Sequence, residues 1–233
     1  MEAADLNVRA KNRQHLDEFL KMAEEYHFQA IATPTSLKKP VMEEKGFKLC
    51  RRIEVKADKL GTLKSRVGQW RRKAVIIAVR IGEVNAINWA ANDHRVDLLT
   101  TYGHPWQKDL RYSTAKLAAS TETALEVNIV YLLQVSGLKR SRVLKSLRES
   151  IRTASRAGMR VILSSGADSA LRMRSPTALE HIGSLLNINH ITAKKAIRDY
   201  PMEIIKRNVA KLGENFIAPG IELIESDSNE EAS

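Results

Sequence analysis

With 233 residues, 43% of them hydrophobic, the chain can bury a sizeable core and reads most simply as one domain. Its 38 Lys and Arg outnumber 27 Asp and Glu for a formal charge of +11, and five acids (Glu222, Glu225, Asp227, Glu230, Glu231) crowd into the last dozen residues, which hold no cation. So basic a body favours a polyanionic partner, nucleic acid before membrane, and a lone Cys50 excludes an intrachain disulfide or a cysteine-built zinc site.

The opening Met1-Glu2-Ala3-Ala4-Asp5 has no signal-peptide pattern, and no apolar run is long enough to span a bilayer. The expected setting is cytoplasmic, without membrane contact. Residues 6–8 suggest a short first strand. Leu16, Phe19, Leu20 and Ala23 then recur at helical spacing, with Arg13, Asp17, Lys21 and Glu24 left for solvent. Residues 28–32 predict a second strand stopped by Pro34, and a helix interrupted by Pro40 fills 35–45. A third strand, 48–55, sets Leu49, Arg51, Ile53 and Val55 against Lys48, Cys50, Arg52 and Glu54.

Residues 59–70 predict a helix packed through Leu60, Leu63, Val67 and Trp70. The run 74–81 reads as a strand buried on both faces, with Arg71-Arg72-Lys73 at its amino end. A helix over 83–91, a strand over 96–100, a loop over 102–106 and a helix over 113–123 follow. The strand at 124–130 alternates Leu125, Val127 and Ile129 against Glu126 and Asn128, which suits one face under helices and one toward a polar interior.

The most basic segment comes next. Between 139 and 160 lie Lys139, Arg140, Arg142, Lys145, Arg148, Arg152, Arg156 and Arg160, opposed only by Glu149, while Val143, Leu147, Ile151 and Ala154 make a packing face. Cations projecting from a helix anchored on its other side form either a solvated face or an RNA contact, for which Arg148 and Arg152 are candidates. The run Val161-Ile162-Leu163-Ser164-Ser165-Gly166 then gives a buried strand and a tight turn, followed by a loop with Arg172 and Arg174. Ser175-Pro176 has the pattern of an N-cap and first helical position. A further helix opens near Thr192 and leaves Lys194, Lys195 and Arg198 outside, and Pro201 starts the last one. Residues 216–233 read as an acidic, disordered tail after a domain spanning 1–215. Seven strands alternating with helices, and no Gly-rich dinucleotide turn, predict an α/β fold, a (β/α) TIM-like barrel in which the loop after a strand is the usual functional place.

The chain carries few patterns that chemistry needs. Gly61-Thr62-Leu63-Lys64-Ser65 lacks the spacing of a phosphate-wrapping loop, and Ser164-Ser165-Gly166 is no nucleophile elbow. Among six scattered histidines only His104 follows a strand, with Asp97 and Asp168 as conceivable metal companions. Aromatics, at 5%, are too sparse for a base-stacking sheet, so RNA contact would fall on phosphates and shape.

The order Leu163-Ser164-Ser165, Arg174-Ser175-Pro176, Leu179, Ile182-Gly183, Ala193-Lys194, Ile197 and Tyr200-Pro201-Met202-Glu203-Ile204-Ile205 resembles the archaeal ribonuclease P protein component 3 family, relatives of the eukaryotic thirty-kilodalton subunit. Val96-Asp97-Leu98-Leu99, Ala115-Lys116-Leu117 and Ala124-Leu125-Glu126-Val127-Asn128-Ile129 agree with it, and the likeness spans 5–208. The resemblance implies a distorted barrel within a ribonucleoprotein that removes the 5′ leader from precursor tRNA. It also implies that the RNA subunit carries the magnesium-dependent chemistry, that a Pop5-type subunit and other ribonuclease P proteins are partners, and that this chain has no cofactor or catalytic residue. Matching positions nominate Arg174, Lys194 and Lys116 for RNA contact, with Arg172 and Lys195 beside them. The chain departs from the family's pattern at Ala86, Asn88 and Trp89, where basic residues are expected, and in its longer Arg-rich helix over 140–156. The alternatives are a metal-dependent phosphoesterase of a related barrel type, using His104, Asp97 and Asp168, or a basic scaffold in another RNA assembly.

Overall fold

Strand pairing runs in chain order. β1 (Ala4–Asp5) lies parallel to β2 (Ala30–Thr33), and β3 (Val41–Glu44) folds back antiparallel on β4 (Phe47–Lys56). β2, β4, β5 (Ile76–Arg80), β6 (Leu98–Thr100), β7 (Ala124–Asn128) and β8 (Val161–Ser164) continue as parallel neighbours. This is a computed structural model describing residues 2–44, 46–101, 110–213, 216–218 and 221–222, with Glu44 and the last two stretches given by backbone alone. Seven parallel strands thus build a nearly closed (β/α) barrel of the TIM-like class among these residues.

Parallel neighbours need crossovers, and helices supply most of them. α1 (Arg13–Glu25) starts where the Asn12 side chain accepts from the His15 amide at 2.9 Å, and it buries Leu16, Phe19 and Ala23. α2 (Leu60–Trp70) buries Leu63 and Val67; α3 (Val84–Ala91) is capped by Glu83, which accepts from the amides of Asn85 and Ala86. α4 (Tyr112–Ser120) precedes β7, and a single turn, α5 (Val130–Leu133), leads into α6 (Gly137–Ala157). α6 ends at Gly158, whose φ of +78° belongs to the left-handed region that glycine enters without strain. Beyond β8 come α7 (Pro176–Leu185), α8 (His190–Ile197) and α9 (Asp199–Lys211). The expected cap is present: Ser175 accepts from the Ala178 amide at 3.3 Å, with Pro176 in the first helical position. No helix among the described residues is long and apolar enough to cross a membrane.

Two apolar layers result. One lies between the helices and the outer faces of the strands, and the other fills the amino-terminal half of the barrel with Ile76, Leu98, Ala124 and Ile162. α9 seals that end with Met202, Ile204 and Ile205, each buried side chain contributing roughly 1.5–3 kcal/mol of burial free energy.

Among the described residues no ladder joins β8 back to β1. The seam is stitched by the Arg9 amide donating to the Ala167 carbonyl (2.8 Å), the Ser165 amide donating to Asp5 Oδ1 (3.1 Å) and Asn7 Nδ2 donating to Asn128 Oδ1 (2.7 Å). Gly166 sits here at φ +62°, and a Cβ on it would come 2.8 Å from Asn128 Cβ. The small residues after β8 therefore serve a close backbone approach.

Three expectations need correction. The helix over 35–45 is absent among the described residues of that segment: Pro40 in its middle breaks it, the Pro40 carbonyl accepts from the Arg51 amide, and Val41 and Met42 pair with Cys50 and Leu49. The first strand lies earlier than 6–8 because the Asp5 carboxylate takes the Asn7 amide at 3.1 Å and turns the chain. The strand over 124–130 stops at Asn128, where Ile129 and Val130 enter the turn that becomes α5. Phe216–Ala218 and Ile221–Glu222, β9 and β10, pair antiparallel, and the acidic stretch 223–233 lies outside the described residues.

Candidate nucleic-acid interface

The register sends Arg52 and Glu54 of β4, Arg80 of β5, Thr100 of β6, Glu126 and Asn128 of β7 and Ser164 of β8 into the carboxyl-terminal half of the barrel. Their charges neutralise one another. Arg52 and Glu126, both fully buried, form a two-pronged pair at 2.8 and 2.6 Å. The remaining lone pairs of Glu126 accept from Thr100 Oγ1 at 2.5 Å and Ser164 Oγ at 2.8 Å. Glu54 receives Arg52 at 3.3 Å, Arg80, and Arg9 at 3.7 Å. Burial alone would raise the Glu54 carboxyl, but the guanidinium groups of Arg52, Arg9 and Arg80 outweigh it and hold its pKa below the ordinary value. At the seam nothing offsets burial enough, and the Asp5 pKa is raised. Burial pushes the Cys50 thiol up to about 12, so it is no nucleophile.

A carboxylate whose lone pairs are already spent on a guanidinium and two hydroxyls cannot ligate a metal without taking from buried Arg52 its two-pronged partner. The metal grouping read from the sequence is not assembled either. Asp97 precedes β6 at the amino-terminal end of the barrel, accepting from Arg71 (2.8 Å), Arg207 (3.1 Å), Asn208 (2.7 Å) and the Ile77 amide (2.8 Å). Asp168 follows β8 at the opposite end, paired with Arg172 at 2.7 Å. His104 lies outside the described residues, and among those described no group of three or more His, Cys, Asp or Glu could hold a metal ion.

The outer face differs in kind. α4, α6 and α7 follow one another around the barrel, α4 packed on α6 and α6 joined to α7 where Arg148 Nε and Nη2 donate to the Leu185 carbonyl at 3.0 and 2.8 Å. Lys116 stands exposed on α4, and Arg148 and Arg152 share one groove beside α6. Lys195 is exposed and Lys194 half-buried on α8. Arg172 ends a short 3-10 turn after β8 and Arg174 follows it, and the Arg174 guanidinium donates to the Leu171 and Met173 carbonyls at 3.1 and 2.6 Å, which satisfies hydrogen bonds and leaves the charge. The seven nominated cations thus occupy α4, α6, α8 and the loop after β8, and only Arg148 and Arg152 come together in one groove.

What reading the sequence missed is the interior network. Arg52, Glu54 and Glu126 were visible as the inward set of two alternating strands, yet which cation meets which carboxylate depends on β4 and β7 facing each other across the barrel. Arg9 and Arg80 carry no local signal at all.

A family model described as RNase P subunit p30 matches residues 2–212. Ribonuclease P protein component 3 of Methanosarcina barkeri is 29% identical over 179 residues, covering 77% of this chain and 74% of the relative. The protein of the same description from Methanococcoides burtonii is 24% identical over 213 residues, covering 90% and 88%. In structure, a chain of an archaeal ribonuclease P solved by cryo-EM with mature tRNA superposes with a TM-score of 0.78 at 20% identity, covering 98% of this chain and 100% of that one.

Proposed function

The chain belongs to the RNase P subunit p30 family and is a protein subunit of ribonuclease P, and from that premise we propose that it binds and stabilises the catalytic RNA while contributing no catalytic group. The observation that carries this reading is the contrast within the barrel. Both carboxylates inside its carboxyl-terminal half are held by arginine, whereas the cations of α6 and the loop after β8 face outward. Such a body attracts phosphates and fixes their position, and it has little to offer bond cleavage. Magnesium then belongs to the RNA active site of the holoenzyme, which removes the 5′ leader of precursor tRNA. The chain meets that substrate through the complex, alongside a Pop5-type subunit and the other protein subunits, in the cytoplasm.

Reconstitution tests it. Precursor-tRNA cleavage by the cognate RNA and its other proteins, at limiting magnesium, is expected to fall when this chain is omitted, and unchanged cleavage would sink the reading. Replacing Arg174 by Ala should weaken RNA binding and lower its salt slope by about 1, the share of one phosphate contact.

A further inference from the structure

We propose that the groove between α6 and the carboxyl-terminal end of α7 is a seat for the sugar-phosphate backbone of the ribonuclease P RNA. The proposal rests on the RNA-binding reading above and deepens it by naming a place on the protein that the family resemblance leaves out. Lys145, Arg148, Arg152 and Arg156 follow one another at three- and four-residue steps, so α6 presents them as a single stripe about 16 Å long. All four line a groove of about 660 Å³ whose other wall includes Leu186 and Asn187, just past α7.

The charge there is poorly compensated. Glu149 is the one carboxylate among the lining residues, and it pairs with Arg152 on its own helix, Arg152 largely and Glu149 partly in solvent. Lys145, Arg148 and Arg156 have no carboxylate partner among the described residues. Arg148 does a second thing as well: by donating twice to the Leu185 carbonyl it ties the two walls together and holds the groove at a set width. Arg148, held in this way, has already spent part of the side-chain entropy that a phosphate contact otherwise costs.

The lining also selects the partner. Leu144, Ile151 and Leu186 give the groove an apolar floor, but among the described residues no aromatic anchor of the kind that dominates protein interfaces lines it, and four cations do. Its hydroxyls and amide, including Ser155 and Asn187, offer the hydrogen bonds that phosphate and ribose oxygens take. The geometry therefore suits phosphates in succession along one strand, with no base read.

The test keeps Arg148, which also supports α7, and replaces Lys145, Arg152 and Arg156 by Gln in one chain. Affinity for the cognate ribonuclease P RNA is measured across salt concentrations, with a melting curve as a control for folding. The expected result is an unchanged melting temperature, binding weakened about tenfold or more near 0.1 M salt, and a salt slope smaller by about 2, the share of roughly three phosphates. Hydroxyl-radical footprinting should lose one protected segment and keep the rest. If the variant binds with the parent's affinity and slope, the groove is not an RNA seat, while the RNA-binding reading stands on the parent's own binding. If the parent chain binds no RNA, that reading fails, and the groove proposal with it. If the variant keeps its RNA affinity but no longer joins the protein subunits, the groove belongs to a protein and the proposal is overturned.

Discussion

The inside of the barrel and the outside of α6 hold the same kinds of side chain under opposite rules. Inside, Arg52 meets Glu126 at 2.8 and 2.6 Å with no solvent exposure, and every lone pair of that carboxylate is used. Outside, Lys145, Arg148 and Arg156 stand without a carboxylate among the described residues. A charge removed from water must be matched on the spot, whereas one left in water costs little and stays available to a partner. The pairing therefore marks what the fold keeps for itself, and its absence marks what the fold offers.

The contrast can be broken most severely from the inside. Glu126→Leu takes the two-pronged partner from buried Arg52, which keeps only Glu54 at 3.3 Å and the Leu6 carbonyl at 2.8 Å, and is expected to cost about 3 kcal/mol in denaturant unfolding. The double change Arg52→Met with Glu126→Leu should recover most of that loss; a double variant as unstable as the single would show that packing, not charge, dominates. Glu54→Gln should cost roughly 1.5–3 kcal/mol at neutral pH, since three arginines lose one carboxylate. Its signature is the acid limb. The Glu54 pKa is lowered on folding, so its contribution is full above the ordinary value of 4.5 and is lost as pH falls through the folded value. The Gln variant should unfold with a flatter acid dependence, and an identical acid limb would remove Glu54 from the account.

Gly166→Ala tests the seam with an expected loss of roughly 1–3 kcal/mol, because φ is +62° and the new Cβ would press on Asn128. Ser175→Ala removes one cap from α7 and should cost about 1 kcal/mol. Smallest of all, the three Gln replacements on α6 should change stability by no more than about 0.5 kcal/mol while changing RNA binding. A large loss of stability there would mean the outer charges are structural after all and would erase the distinction between the two regions.

Much of the barrel was legible because its elements are local. Period-two and period-3.6 patterns placed α1, α2 and β4, and an unbroken apolar run placed β5, to within a few residues, and Ser175-Pro176 marked a helix start that the structure has. The 35–45 segment failed since Pro40 within it allows neither a helix nor a long strand, and only the neighbouring edge of β4 decides for a hairpin. The outer cations were legible one by one, but the groove was not: it exists because Arg148 reaches a carbonyl 37 residues further along the chain. The inner network was harder still, since the Arg52–Glu126 pair spans 74 residues and depends on barrel closure.

That closure has a consequence in time. Asp5 and Asn7 find their partners in Ser165 across 160 and 158 residues of chain. At a synthesis rate of about 5–20 residues per second, the amino terminus waits roughly 8–30 seconds before the residues that hold it exist. Until then β1 has only β2 to lean on, and the sheet presents a growing edge at its other side. The last parallel strand to be made on the ribosome thus brings the first strand its second neighbour, with α7, α8 and α9 still to follow, and a nascent chain stopped short of residue 165 is held open at the same point where the finished one is sewn shut.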